Sequence, residues 1–383
     1  MTSIPPSSTL KVLALAKELE RGGKKIVHME VGEPDFNTPT HIKEAAKQAL
    51  DKGMTRYTPS AGLPELREAI AEHLVKQKIE VTAKNIIVTP GAKHSIFCAL
   101  AAALDPGDEV LIPSPCWTYE AMVKIVGGQP VFIEESAESG FKLEVDKLEA
   151  SITPKSRLLL LNYPNNPTGA VMNAEELKPI LDIAIDRDLW VLSDDIYNAL
   201  VYEGEQANPL TFPGMAERTI SVNGFSKTYA MTGWRVGYAV APADFIVEMA
   251  KIQEASTTCT ASFVQAAAIA ALRGPQESVA EMRAEYRRRR DEIVHSLNAI
   301  EGIECLKPQG AFYVFPGIKK LGLTSLEFCE SLLKSKGVAA VPGSGFGPGG
   351  EGHVRLSYAT SIENIRQAIR LIKEFVEEHR PHR

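Results

Sequence analysis

The chain has 383 residues and a formal net charge of −6, with 44% apolar and 23% charged residues. That composition is too apolar for a disordered chain and too acidic for one built to hold nucleic acid or an anionic membrane broadly. Five cysteines, an odd number with no C-x-x-C pair, fit a reducing compartment.

The opening residues lack a charged-then-apolar signal pattern. No apolar run reaches the roughly 18 residues of a membrane-spanning helix, so the expected location is cytoplasmic. The segment 1–40 holds one helical pattern and no core of its own, so it is expected to pack on another part of the chain. From there, short apolar runs over 86–89, 109–112, 130–133, 157–162, 190–193, 219–223 and 235–240 alternate with helical patterns such as 92–104, 174–187 and 245–255. Near-continuous apolar strands joined through helices read as a largely parallel sheet covered on both faces, the α/β class. The breaker pair Gly274-Pro275 precedes a charged stretch over 276–298 that reads as one helix. Its arginine run at 287–290 has acidic neighbours Glu281, Glu285, Asp291 and Glu292, which suits a solvated helix face. Strand patterns over 311–315, 338–341 and 353–357 and helical patterns over 325–336 and 362–377 complete the tail. The expected division is a large domain over 41–275 and a smaller α+β domain over 276–383, with the segment 1–40 packed on the smaller one.

Ligands of open α/β sheets gather at the carboxyl ends of the strands. After the run 86–89, Pro90-Gly91-Ala92-Lys93 opens a helix whose free N–H groups suit a phosphate or carboxylate. Glycine is common in such turns, so this is weak alone. After 157–162, Tyr163-Pro164-Asn165-Asn166-Pro167-Thr168-Gly169 forms either a rigid platform for Asn166 or an ordinary tight turn. After 190–193 comes Asp194-Asp195-Ile196-Tyr197. A carboxylate at a buried strand end needs a cation or several hydrogen bonds, although one Asp suffices as a helix cap. After 219–223 comes Gly224-Phe225-Ser226-Lys227-Thr228. A lysine there is either a desolvated nucleophile or a surface side chain. Arg235, eight residues on, suits bidentate recognition of an oxyanion. Residues 345–350 match G-x-G-x-x-G but lead into a strand pattern, so they read as a flexible glycine loop and not a dinucleotide site. The scattered histidines give no metal motif.

In order, NPTG, Asp-x-x-Tyr, Ser-Lys and the later arginine resemble the class I aminotransferases, the fold-type-I pyridoxal 5'-phosphate (PLP) enzymes. So do Gly32-Glu33-Pro34-Asp35-Phe36, Arg56-Tyr57-Thr58-Pro59, Gly62-Leu63-Pro64-Glu65-Leu66-Arg67 and Val354-Arg355-Leu356-Ser357. The resemblance covers about residues 5–375 and implies a large domain with a mostly parallel mixed sheet between helices, plus a smaller α+β domain. It implies that Lys227 holds the cofactor covalently and shuttles the α-proton, and that Asp194 pairs with the pyridine nitrogen. Asn166 and Tyr197 would bond the ring hydroxyl oxygen, and Trp117 would stack on the ring. Gly91, Ala92, Ser226 and Arg235 would hold the phosphate, joined by Tyr57 from the second subunit of a homodimer. Arg355 would grip the substrate α-carboxylate with the Gly32 N–H assisting. The implied reaction is ping-pong transfer of an amino group from an amino acid to a 2-oxo acid, without nucleic acid or membrane partners.

Gly224 departs from the second hydroxyl residue that many relatives carry there, and no arginine can be assigned from the sequence to a substrate side-chain carboxylate. Lys93 occupies the place where the bacterial and archaeal aspartate aminotransferase branch uses lysine for that purpose. Aspartate donating to 2-oxoglutarate is therefore the expected reaction. An aromatic or alanine aminotransferase and a C–S lyase share the fold. A PLP-sensing regulator would need a DNA-binding module before residue 32, where the sequence is expected to have no room for one.

Overall fold

A computed structural model describes residues 8–379. In chain order its helices are α1 (Ser8–Arg21), α2 (Thr40–Asp51), α3 (Pro64–Val75), α4 (Ala92–Ala103), α5 (Glu120–Ile125), α6 (Val145–Ser151), α7 (Ala174–Asp186), α8 (Ala243–Ser256), α9 (Ser262–Arg273), α10 (Glu277–Asn298), α11 (Ser325–Lys336) and α12 (Ile362–His379). Its strands are β1 (Val27–His28), β2 (Ile86–Thr89), β3 (Glu109–Ser114), β4 (Gln129–Glu134), β5 (Ser156–Asn162), β6 (Trp190–Asp194), β7 (Thr219–Gly224), β8 (Gly237–Val240), β9 (Tyr313–Val314), β10 (Val338–Ala339), β11 (Val341–Pro342) and β12 (Val354–Ser357).

Seven strands form one sheet in the order β2-β8-β7-β6-β5-β3-β4. Strands β3 to β7 run parallel, and β8 runs antiparallel to both of its neighbours. The apolar runs in the sequence follow from burial on both faces. Leu158, Leu160 and Leu192 pack with Ile96 and Leu100 of α4 and Met249 of α8. The alternate residues Leu159, Leu161 and Val191 pack on Leu177, Ile180 and Leu181 of α7. This is the period-two alternation of a strand, with both faces dry. Truncating a fully buried leucine such as Leu160 would cost about 2–5 kcal/mol.

Local chemistry fixes the element ends. Asn173 caps α7 by accepting the Glu175 and Glu176 N–H groups, while Glu176 reaches back in a capping box. Thr324 and Glu327 do the same for α11, which ends on Gly337 at φ 72°. Along α12, Ile365, Ala368, Ile369, Ile372, Phe375 and Val376 are buried, the stripe of an amphipathic helix.

The tail forms a three-stranded sheet, β11-β12-β9, and β1 pairs in parallel with β10. Val27 and Met29 thereby enter one core with Ile293, Leu297, Phe328 and Ile372. Of the expected strands, three are split or shortened by two residues or more. The run 338–341 is two strands, because β10 pairs with β1 while β11 pairs with β12. The run 235–240 begins only at Gly237, since Arg235 is left-handed at φ 55°. Of 311–315, only Tyr313 and Val314 pair. Within the glycine loop over 345–350, Phe346 O accepts the Cys116 N–H at 2.9 Å and Gly350 N donates to Gly347 O at 3.2 Å.

Candidate active site

The register sets Asn162 beside Asp194 and Asp194 beside Val222, so β5 and β6 finish level and β7 runs two residues further, to Gly224. Asp194 is buried at that edge. Tyr119 OH donates to its Oδ2 at 2.7 Å and Ile196 N to its Oδ1 at 3.3 Å. Asn162 Nδ2 fixes the Asp194 carbonyl at 3.0 Å. Burial pushes the Asp194 carboxyl up to about 6, against the Tyr119 and Ile196 donors and Lys227. Asp195 points the other way. It accepts from Ser193 at 2.6 Å, from Ser221, and from Asn208 at 3.0 Å.

Lys227 follows β7, and its Nζ donates to Gly32 O at 2.6 Å. Burial brings its ammonium down to about 8. Glu33 and Asp194 act against that shift, and Arg355 and Arg235 reinforce it. The Arg235 guanidinium lies across Gly91, where an added Cβ would sit 2.5 Å from Nη2 at a φ of +89° that already favours glycine. Gly91 opens α4, whose first N–H groups have no helical acceptor. Lys93, on that first turn, holds its Nζ 4.6 Å from the centre of the Trp117 ring. Burial and then Arg235 lower its pKa. Ser226 is buried, and its hydroxyl makes no hydrogen bond among the described residues.

Arg355 comes from the opposite side on β12 and is 3% exposed. Its Nη1 donates to Asn166 Oδ1 at 3.0 Å and its Nη2 to Glu30 O at 2.7 Å, while Nε is buried without a partner. The Asn166 oxygen is thus occupied, leaving its amide Nδ2 for the cavity. Tyr197 and Tyr313 share a hydrogen bond at 2.8 Å between their hydroxyls.

A cavity of about 430 Å³ joins these groups. Gly32, Ala92, Lys93, Trp117, Asn166, Asp194, Tyr197, Ser226, Lys227, Arg235 and Arg355 all line it. Gly91 adjoins it through Arg235. Tyr57 does not reach it and is 86% exposed. A buried lysine, a buried carboxylate, a flat aromatic face and the arginine beside the turn that opens α4 converge in one space.

Residues 24–372 match the family model for aminotransferase class I and II. The chain belongs to that family. It is a PLP-dependent aminotransferase with the fold-type-I architecture. It is 46% identical to an aspartate aminotransferase of Pyrococcus abyssi over 98% of this chain and 97% of that one. It is 45% identical to aromatic-amino-acid aminotransferase 2 of Thermococcus litoralis over the same shares. The structure of a Thermus thermophilus aspartate aminotransferase with maleate superimposes with a TM-score of 0.93, at 43% identity and 97% coverage of both chains.

Sequence reasoning did not single out three residues that shape this aminotransferase's cavity. Tyr119 lies two residues past Trp117, and Asn162 ends a strand just before the rigid turn; each had a positional signal. Tyr313 had none, because only the packing of β9 brings its hydroxyl to Tyr197.

Proposed function

We propose that this aminotransferase takes its amino group from aspartate and passes it to 2-oxoglutarate, and that the cavity lined by Lys227, Asp194 and Arg355 is where it does so. The residues fit PLP by donor chemistry. Asp194 is a carboxylate for the pyridine nitrogen, and Asn166 Nδ2 and Tyr197 are partners for the ring hydroxyl. Trp117 offers a face for the ring. Ser226, with its free hydroxyl, joins Arg235 and the Gly91-Ala92 turn around the phosphate. When bound, PLP supplies an electron sink for the pair left on the substrate Cα.

The protein's own part is binding and proton movement. Arg355 takes the α-carboxylate, its unpaired Nε being a donor that lacks an acceptor. Gly32 assists through its N–H at the same end. Lys227 is the covalent anchor. As a free base it accepts the Cα proton, and as an acid it returns one during the second half of the cycle. Its pKa near 8 keeps both forms within reach at neutral pH. Asp194 and Tyr197 complete the catalytic group.

The observation that carries the choice of aspartate is Lys93. It is a cation on the cavity wall, set over Trp117, where a second carboxylate would find it. Lys93→Ala should weaken aspartate and glutamate by about one to two decades, as for a lost charge-assisted contact, and leave alanine and phenylalanine nearly unchanged. Half-reaction spectra with the four amino acids read this out. Equal loss for all four overturns it. The 45% identity to an aromatic-amino-acid aminotransferase and the apolar Ile96 on the cavity wall favour an aromatic donor as a second reading, and a wild-type preference for phenylalanine would establish it.

We further propose a cytoplasmic homodimer in which Tyr57 of each subunit reaches the other's phosphate site. Among the described residues no helix is long and apolar enough to cross a membrane. The proposed division is a large domain over 41–275 and a small domain over 276–383 joined by the segment 1–40. It rests on the core that joins Val27 and Met29 to Ile293 and Ile372.

A further inference from the structure

Arg355 is a buried cation with neutral acceptors only: the Asn166 side-chain oxygen and the Glu30 carbonyl. Among the described residues no carboxylate forms a direct ion pair with it. An uncompensated charge in such a place is costly, so the source of its compensation matters. The Glu30 carboxylate belongs to the same residue whose carbonyl holds Nη2. That side chain is completely buried. Its Oε1 meets His28 Nδ1 at 2.7 Å, and its Oε2 has no partner. His28 Nε2 in turn faces Glu20 Oε1 at 3.1 Å, on a side chain 42% exposed. A line of charged groups therefore runs from solvent at Glu20 through His28 to Glu30, the residue whose backbone carbonyl holds the arginine. Burial works against a proton on His28, but the two carboxylates outweigh it and raise its pKa. Burial lowers the Arg355 pKa, and Tyr313, Tyr197 and then the Glu30 carboxylate act against that shift.

We infer that Glu30 is the internal counter-charge of Arg355, held in place until a substrate carboxylate arrives, and that His28 sets how much of that charge the arginine feels. Glu30 and His28 are positioning residues, since neither lines the cavity. The inference rests on Arg355 as the α-carboxylate clamp and not on which amino acid is preferred.

Opposite signs are the signature. Glu30→Gln removes the competing anion while keeping an acceptor for His28, so carboxylates should bind more tightly. His28→Gln leaves the Glu30 charge uncompensated, so they should bind more weakly. Each shift should be about three- to tenfold, as for a charge acting through a partly screened interior. The double variant should follow Glu30→Gln, because His28 acts only through Glu30. The holoenzymes are titrated with succinate by calorimetry. KM is measured with aspartate and with phenylalanine, which should shift alike, with kcat moving less than KM. Glu20→Gln, on the exposed end, should loosen binding in the direction of His28→Gln and replaces that variant if it does not fold. Tighter binding for Glu30→Gln together with weaker binding for His28→Gln or Glu20→Gln supports the inference, and any other combination of signs overturns it. Arg355→Gln is the control. If it leaves the succinate affinity unchanged, the clamp assignment itself fails, an outcome distinct from wrong signs at Glu30 and His28.

Discussion

At Asp194 and Asp195 two identical side chains meet opposite fates, because successive strand residues face opposite sides of the sheet. Asp194 takes Tyr119 as a donor and lines the cavity. Asp195 is enclosed by Ser193, Ser221 and Asn208 on the far side. Asp194→Ala should lower turnover by orders of magnitude with a modest change in melting temperature. Asp195→Ala should keep turnover and lose about 1–3 kcal/mol of stability, the cost of leaving buried donors unpaired. Denaturant unfolding beside steady-state kinetics checks both, and the reverse ranking refutes the assignment. Lys227 yields a pH test with a definite sign. Burial lowers its pKa from 10.5 to about 8, so the free amine appears at a lower pH than on a surface lysine. In the cofactor-free protein, reductive alkylation by formaldehyde and cyanoborohydride, followed by peptide mapping, should reach half its maximal rate at Lys227 near pH 8. Exposed lysines should need a pH closer to their ordinary pKa of about 10.4. If Lys227 titrates with them, its amine is not desolvated.

The same division appears in the elements. The strands of the main sheet were legible because burial on both faces leaves an apolar run with no competing explanation, and Asn166, Asp194 and Lys227 were singled out by reading past each strand end. Arg235 marks where local reading fails. Its left-handed backbone delays β8 until Gly237, a choice made by the turn after Lys227 and by contact with Gly91 rather than by β propensity. Similarly, 338–341 reads as one strand, but β10 and β11 serve different partners. That change of partner depends on β1, which lies some three hundred residues earlier in the chain. Gly237 has its own reason. A Cβ there would strike the backbone of Gly91 and Ala92, which cannot swing aside as a side-chain tip can. Gly237→Ala should push the start of α4 outward and spoil the anion cradle. The expected result is at least about a tenfold loss in PLP affinity, the equivalent of one charge-assisted contact, with the fold retained by circular dichroism. Unchanged affinity would show that the α4 N-terminus does not bear on the phosphate.

For the molecule as a whole, Tyr57 poses the remaining question. An aromatic ring 86% exposed is ordinary by itself, but the loop that displays it is firmly held. Ser262 Oγ donates to Met54 O at 2.7 Å, and Gln265 Nε2 donates to Thr58 Oγ1 at 3.0 Å. Ordering a loop costs conformational entropy, and here the four polar groups named are used to present a side chain that is itself largely exposed. A second copy of the chain, lending Tyr57 to its neighbour's phosphate site, gives that arrangement a use. The test is complementation. A Tyr57→Ala subunit keeps Lys227, and a Lys227→Ala subunit keeps Tyr57, so each homodimer has two defective sites. After unfolding and refolding an equal mixture, half the dimers should be mixed, each with one intact and one doubly damaged site. Activity should then rise to about a quarter of wild type, as random pairing of a two-fold dimer requires. The average of the two parents would mean that no residue crosses between subunits, and a fully active monomer in sedimentation would exclude the shared site altogether.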